Sequence, residues 1–411
     1  MVASTLTTVP VPGRTQTPPT PHPSLVLLPL WLTVFSVSSQ LLIISPILPR
    51  IAEQLDVAAA RLAPLVTGYA LVVAVVALFM GPVSDRLGRR SVLLLGTAVM
   101  TVALALHAVA TNLPFLLTVR MMAGAGGGAL TGAAVAYVGD YFPSNRRGWA
   151  NGWIMSGFAA GQIVAVPLGA VLADRLGFRA PFLVFAVTMG VSFLLIWRYL
   201  PQPSVQRLTG PLGFVGAVGR YVQILRRKNT LAAAVIFLLM FLGTSLYILY
   251  LPIWLEAARG ATPGQVALLF FAGGVATAVA GPIAGTLSDR IGRKPMIVGA
   301  SLGVSVVMAA TTFVALDLRG LYLLFVTLMT LIAARVSPFQ TLLSEIVPEQ
   351  ERGSLMSLMM AVGQLGAGIG AAVAGVVYSG YGFACVTLVA AASVLLLTML
   401  AWNFLTEPVS P

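Results

Sequence analysis

The sequence has little charge and almost no cysteine or histidine. Only 9% of its 411 residues are charged, against 58% that are hydrophobic. Soluble globular chains carry about 25% charged residues. So few charges cannot cover a water-facing surface, which argues against a soluble enzyme or a nucleic-acid-binding module. The single cysteine, Cys385, lies in an apolar run. It forms no intramolecular disulfide and supports neither a Cys-based zinc site nor an iron–sulfur site. The two histidines, His22 and His107, are far apart, which speaks against a metal site or a His-based catalytic centre. Acids are scarcer than bases, 12 against 24.

What is present is apolar sequence in long blocks. A membrane-spanning helix needs roughly 20 mostly apolar residues. Twelve runs qualify: 25–48, 62–81, 91–110, 115–138, 150–172, 181–200, 231–254, 264–284, 295–316, 321–343, 354–377 and 383–404. Lipid requires each segment to satisfy its own backbone, which favours helices. The boundaries at 110–115 and 316–321 are the least defined, because those loops are very short. Residues 1–24 hold six prolines and six threonines and no acid, and read as a disordered cytoplasmic tail. The first run is too long for a signal-peptide core and is expected to stay as span 1.

Lys and Arg set the orientation. With the N-terminus inside, sixteen of them fall on the inner side and six on the outer side; Arg120 and Arg335 lie within spans. This bias predicts a multi-pass protein of the cytoplasmic (inner) membrane with both termini cytoplasmic. It also accounts for the basic pI of about 10.5 without nucleic acid.

The most specific signal is a duplicated loop. Gly81-Pro-Val-Ser-Asp85-Arg86-Leu-Gly88-Arg89-Arg90 follows span 2, and Gly285-Thr-Leu-Ser-Asp289-Arg290-Ile-Gly292-Arg293-Lys294 follows span 8, displaced by 204. Pro143 through Gly148 answers Pro348 through Gly353, displaced by 205. An ordinary basic turn does not recur in this way. The chain therefore divides into a tail at 1–24, a six-span half at 25–200, a cytoplasmic linker at 201–230, a second half at 231–404 and a tail at 405–411.

On these residues the chain resembles the major facilitator superfamily, in which Gly-x-x-x-Asp-Arg-x-Gly-Arg-Arg/Lys is the signature after span 2. Arg120-x-x-x-Gly124-x-Gly126 in span 4 is similar to that family's arginine motif. Gly157-x-x-x-Gly161 followed by Val166-Pro167-Leu168-Gly169 in span 5 resembles the glycine–proline motif of its exporters, especially bacterial drug and sugar efflux antiporters. Val166 and Ala170 stand where glycines are often found in that motif. The resemblance implies an all-α membrane protein of twelve helices in two pseudo-symmetric six-helix halves. It implies that Asp85 meets the start of span 11 near Gly353 and Ser354. By the repeat, Asp289 would meet the start of span 5, near Gly148 to Asn151. Arg89 and Arg293 would pair with Asp140 and Glu345, which close spans 4 and 10. Free N–H groups and the positive dipole end make a helix start a good partner for a carboxylate. Such contacts would latch the halves on the inner side when the pore opens outward and break when it opens inward. Arg90 and Lys294 are expected only to set topology.

Arg120 and Arg335 are costly in a span, by roughly 2.5–3.5 kcal/mol on insertion scales. The twelve acids all fall at span ends, in loops or in the C-terminal tail, so no intramembrane acid offsets them. Two readings stay open. The arginines hold helices through carbonyls and amides, or they attract an anionic or strongly polar group of a substrate. Exporters of this family often carry an acid in span 1. Here Thr33, Ser36 and Gln40 share that helix face, which counts against cationic substrates and the usual proton carrier. Candidate lining residues are Gln40, Tyr69, Trp153, Gln162, Tyr247, Tyr250, Phe270, Phe271, Gln364 and the methionines Met356, Met359 and Met360, flexible thioethers suited to varied apolar shapes. In the linker, Phe214, Val218, Tyr221, Val222 and Leu225 fall at helical spacing beside Arg220, Arg226, Arg227 and Lys228. They read either as an interfacial helix drawn to anionic lipid or as a basic loop. The glycines from Gly124 to Gly128 lack a Gly-Lys-Ser/Thr ending and serve helix packing, so no ATP site follows.

These features predict a monomeric secondary transporter, with no cofactor, that moves a small amphiphilic molecule, neutral or anionic, by alternating access. Export is favoured, with protons as the coupling ion that the exporter branch suggests. Import or facilitated passage of an organic anion is the alternative. A membrane-embedded enzyme or sensor would need a nucleophile–base pair or a metal cluster in the spans, and the sequence offers neither.

Overall fold

The computed structural model describes residues 23–203, 214–313, 317–347 and 349–405. Of the two expected tails, residues 1–22 and 406–411 lie outside this set; Pro23 already opens the first helix.

Span 1 is longer than its apolar run and is broken. It comprises α1 (Pro23–Leu42) and α2 (Ile44–Gln54), separated at Ile43. Pro46 has no N–H to return to the Leu42 carbonyl, so the helix interrupts there. Spans 2 to 4 are α3 (Pro64–Leu87), α4 (Arg89–Leu106) and α5 (Leu113–Tyr141). Span 5 runs through α6 (Ser144–Ala160), a π-helical turn at Gly161–Ala165 and α7 (Val166–Leu176). The π turn immediately precedes Pro167, whose missing N–H disturbs the regular ladder. Span 6 is α8 (Ala180–Tyr199). The linker contains α9 (Phe214–Leu225), a helix and not a loop.

Spans 7 to 10 are α10 (Lys228–Arg259), α11 (Pro263–Ile291), α12 (Arg293–Phe313) and α13 (Leu318–Ile346). Spans 11 and 12 form one stretch, α14 (Glu349–Phe404), which turns at Gly382, where φ is 75° and ψ −177°. The two short loops are defined by caps. Asn112 accepts from the Phe115 N–H and Asp317 from the Gly320 N–H, each 2.9 Å, so α5 and α13 start at once.

Each half packs in the same order. Span 2 lies on span 4 as span 8 lies on span 10, and span 3 on span 4 as span 9 on span 10. The halves meet along span 2 with span 11 and span 5 with span 8. We call the side bearing both signature loops the basic face and the opposite side the far face. Spans 5 and 8 touch along the π turn and α7, whereas α6, on the basic side, packs on α1. Ser45 Oγ donates to the Ile248 carbonyl at 2.6 Å and Thr67 Oγ1 to the Gly368 carbonyl at 2.9 Å. Tyr250 Oη reaches the Ala59 and Ala60 carbonyls at 3.4 and 3.3 Å. All these bonds join the halves in the far-side part of the bundle. The structure is shut on the far face.

Candidate functional site

The two signature loops have the same backbone. Gly88 and Gly292 end α3 and α11 with φ of 92° and 95°, and their N–H groups return to the Ser84 and Ser288 carbonyls at 3.0 Å. This conformation is essentially open to glycine alone. It turns the next arginine back on its own half. Arg89 Nε donates to Asp140 Oδ2 at 2.7 Å, and Arg293 donates to Glu345. Gly81 and Gly285 sit about two turns earlier on α3 and α11. Arg86 and Arg290 point outward and are exposed.

The side chain of Asp85 lies outside the described residues. Asp289 is exposed and faces Arg293 Nη2 at 3.6 Å, and the structure does not bring it to Gly148–Asn151. The reason is geometric: with the far face shut, α11 packs on the far part of span 5 and leaves α6. Arg90 does more than set topology, because its Nη2 donates to the Trp197 carbonyl at 2.7 Å and so ties span 3 to span 6.

The buried arginines do not face an opening. Arg120 is wholly buried; its Nη1 donates to Gln40 Oε1 at 2.7 Å and to the Gln40 carbonyl at 3.2 Å. Gln40 Nε2 donates onward to Tyr69 Oη at 2.8 Å, and the guanidinium lies 4.6 Å from the Tyr69 ring centre. Gln40 and Tyr69 are therefore the arginine's partners and not lining residues. Arg335, 1% exposed, donates through Nη2 to Thr244 Oγ1 at 2.9 Å and to the Met240 carbonyl at 3.1 Å. Each guanidinium ties its span to a neighbour, span 4 to span 1 and span 10 to span 7. Nε and Nη2 of Arg120 and Nε and Nη1 of Arg335 have no acceptor among the described residues.

Other expected lining residues are also relocated. Tyr247 is buried and bonds Thr311 Oγ1 at 2.9 Å inside the second half. Tyr250 stacks on Tyr378 with ring centres 4.5 Å apart and belongs to the far-face seal. Met359 is buried in the core formed with Ile224 and Phe339. Phe270 packs on Phe325. Phe271 lines an apolar groove of about 800 Å³ with Leu268, Val275, Val279, Ile283 and Thr330, between spans 8 and 10. Leu268 lies at the sealed far end yet is 55% exposed, so this groove opens to lipid. Trp153, Met356 and Met360 are exposed, and Gln162 and Gln364 are half-buried.

The glycines of spans 4 and 5 allow close approach. A Cβ at Gly124 would lie 2.7 Å from the Tyr69 carbonyl oxygen. At Gly157 it would lie 2.8 Å from the Trp31 carbonyl oxygen, and at Gly161 2.5 Å from Ser38 Oγ. Gly169 lies against Ile43 and Pro181. Spans 1 and 5 are thus interlocked backbone to backbone, with Pro167 just beyond the π turn.

Sequence reasoning missed the far-face contacts of Ser45, Arg50, Thr67 and Glu256. Ser45 Oγ also donates to the Leu249 carbonyl at 3.3 Å, so spans 1 and 7, the matching first spans of the two halves, meet at this seal, as elements close to a two-fold axis do.

Two repeated six-span halves, sealed on one face and latched within each half on the other, define a membrane carrier of small molecules. The Major Facilitator Superfamily family model matches residues 30–257 and 233–411, and the chain belongs to that superfamily. It is 27% identical to the uncharacterized MFS-type transporter YwfA of Bacillus subtilis, over 90% of this chain and 89% of the relative. It is also 27% identical to the multidrug resistance protein MdtG of Yersinia enterocolitica, over 89% of each chain. In fold it is similar to a bacterial homolog of the human lysosomal transporter Spinster, in an inward-facing and unoccupied conformation. The TM-score is 0.80 at 16% identity, covering 95% of this chain and 99% of the other.

Proposed function

We propose that this transporter exports small amphiphilic molecules across the cytoplasmic membrane by alternating access, in exchange for protons. On this reading the basic face is cytoplasmic and the far face is external. The observation that carries export is the glycine interlock of span 5 with span 1 through Gly157 and Gly161, ending at Pro167, the element that resembles the exporter motif. The multidrug resistance name of MdtG relatives across nearly the whole chain supports it. Met356, Met360 and Gln364 follow at four-residue intervals along α14 on the cytoplasmic side. They would offer a cargo flexible thioethers and one amide.

Asp85 and Asp289 would close the cytoplasmic face by moving onto the starts of spans 11 and 5. Arg89–Asp140 and Arg293–Glu345 hold each loop ready for that move. An organic anion is the second reading for the cargo. The N–H groups of the two buried arginines that have no acceptor among the described residues favour it, because they would donate to a carboxylate if rocking exposed them.

Dye accumulation in an export-deficient host tests the proposal. Expression should lower retention of neutral and anionic amphiphilic dyes, and a protonophore should restore it. Arg335→Ala should depress transport of the anionic dye far more than that of the neutral one. Undiminished export of quaternary ammonium dyes alone, by both forms, would contradict this preference.

A further inference from the structure

One guanidinium on the far face carries three carboxylates. Arg50, near the end of α2, donates through Nη1 to Glu53 at 2.6 Å and through Nη2 to Glu256 at 3.2 Å; its Nε lies 3.4 Å from Asp174. Glu53 and Asp174 belong to the first half, on α2 and α7. Glu256 belongs to the second half, near the end of α10 and beyond the apolar run 231–254. The Arg50 and Glu256 side chains are only 22% and 21% exposed. The nearest further cation on α10 is Arg259, which lies over the Trp254 ring at 5.2 Å. The cluster therefore holds one positive and three negative charges when every acid is ionised.

Closing the far face brings Glu256 into this cluster. Arg50 attracts it, but Arg50 is already shared by two acids of its own half. Asp174 and Glu53 repel it, and burial disfavours its charge. We propose that Arg50, Asp174 and Glu256 form the external lock of the transport cycle, and that the Glu256 carboxylate takes up a proton from the outside as the lock closes. The step is simple: external water supplies one proton, the carboxylate becomes a carboxylic acid, and Arg50 keeps its two partners in the first half. The inference rests on the alternating-access reading and gives it a pH-sensitive external lock, just beyond apolar runs that themselves carry no acid.

The sign follows from linkage. Burial raises the proton affinity of Glu256 above that of an ordinary carboxylate; Arg50 opposes this, and Asp174 and Glu53 add to it. In the open state Glu256 returns to water and to its ordinary affinity. The closed state therefore binds the proton more tightly, and acid favours closure. A plain ion-pair lock would do the opposite and open in acid. The proton returns to external water when the far face reopens, so the lock makes closure sensitive to external pH and does not itself carry a proton across the membrane.

The test is a distance measurement that needs no cargo. Spin labels go at Asn112→Cys in the first half and Ala258→Cys in the second, with Cys385→Ser, in lipid nanodiscs. Lowering the pH from about 7.5 to about 5 should raise the short-distance population severalfold. Glu256→Gln should hold the short population at both pH values, and Asp174→Asn should shrink the response. A pH-independent distribution, a lengthening in acid, or an unchanged response in Glu256→Gln would overturn the proposal. A second pair, at Arg147→Cys and Arg352→Cys on the basic face, separates the two ideas. If both pairs stay fixed under every condition, it is alternating access that fails.

Discussion

Two buried arginines show how a charge is kept in a span without an acid. Arg120 is offset by an amide, a carbonyl and an aromatic face, and Arg335 by a hydroxyl and a carbonyl. Gln40 is the critical partner of Arg120, because it supplies both acceptors. Gln40→Leu leaves the guanidinium with the backbone carbonyl alone, and a lost partner for a buried donor costs about 1–3 kcal/mol. The detergent-purified variant should melt lower than wild type. Arg120→Met with Gln40→Leu should recover part of that loss, since an apolar pair leaves nothing unsatisfied. Melting followed by circular dichroism checks both; equal loss in the single and double variants would show that Gln40 does not act through Arg120. At this scale the sequence was half legible. The rarity of acids marked the two arginines, but composition cannot tell a cavity from a helix contact. Tyr247 and Met359 were misplaced for the same reason, because a residue type within a span does not reveal which side of the helix it occupies.

At the scale of elements, the repeated turn after spans 2 and 8 gives a paired test. Gly88 and Gly292 share a positive φ, so alanine is strained at both, by about 1–3 kcal/mol. At Gly88 a Cβ would also lie 2.6 Å from Gln202 Nε2, an amide whose Oε1 accepts from the Arg90 N–H. Gly88→Ala and Gly292→Ala should therefore each lower the melting temperature. An unchanged melting temperature in either would mean that the turn tolerates a side chain there. The spans themselves were readable from run length, because lipid allows few alternatives to a helix. The caps at Asn112 and Asp317 were readable in principle, since both residue types satisfy free N–H groups. The break at Ile43 and the π turn were not, because proline within a span bends, breaks or tolerates the helix according to its neighbours.

For the whole molecule, the repeat did more than divide the chain. It matches span 1 to span 7, and the structure brings those two together at the far-face seal through Ser45 and Leu249. Sequence periodicity showed the two halves but not the state in which they rest against each other, since both faces use the same helices. The central claim is that this closure is one end of a rocking cycle and that cargo leaves only when it opens. A cross-link tests it directly. Ser45→Cys and Leu249→Cys, in a Cys385→Ser background, can be joined by a short thiol-reactive linker in inside-out vesicles, with an amphiphilic fluorescent dye in the medium. The account predicts that energised dye uptake stops on cross-linking and returns when a cleavable linker is reduced, while the uncross-linked double variant transports. Uptake that continues at the full rate with the far face tied shut would contradict it.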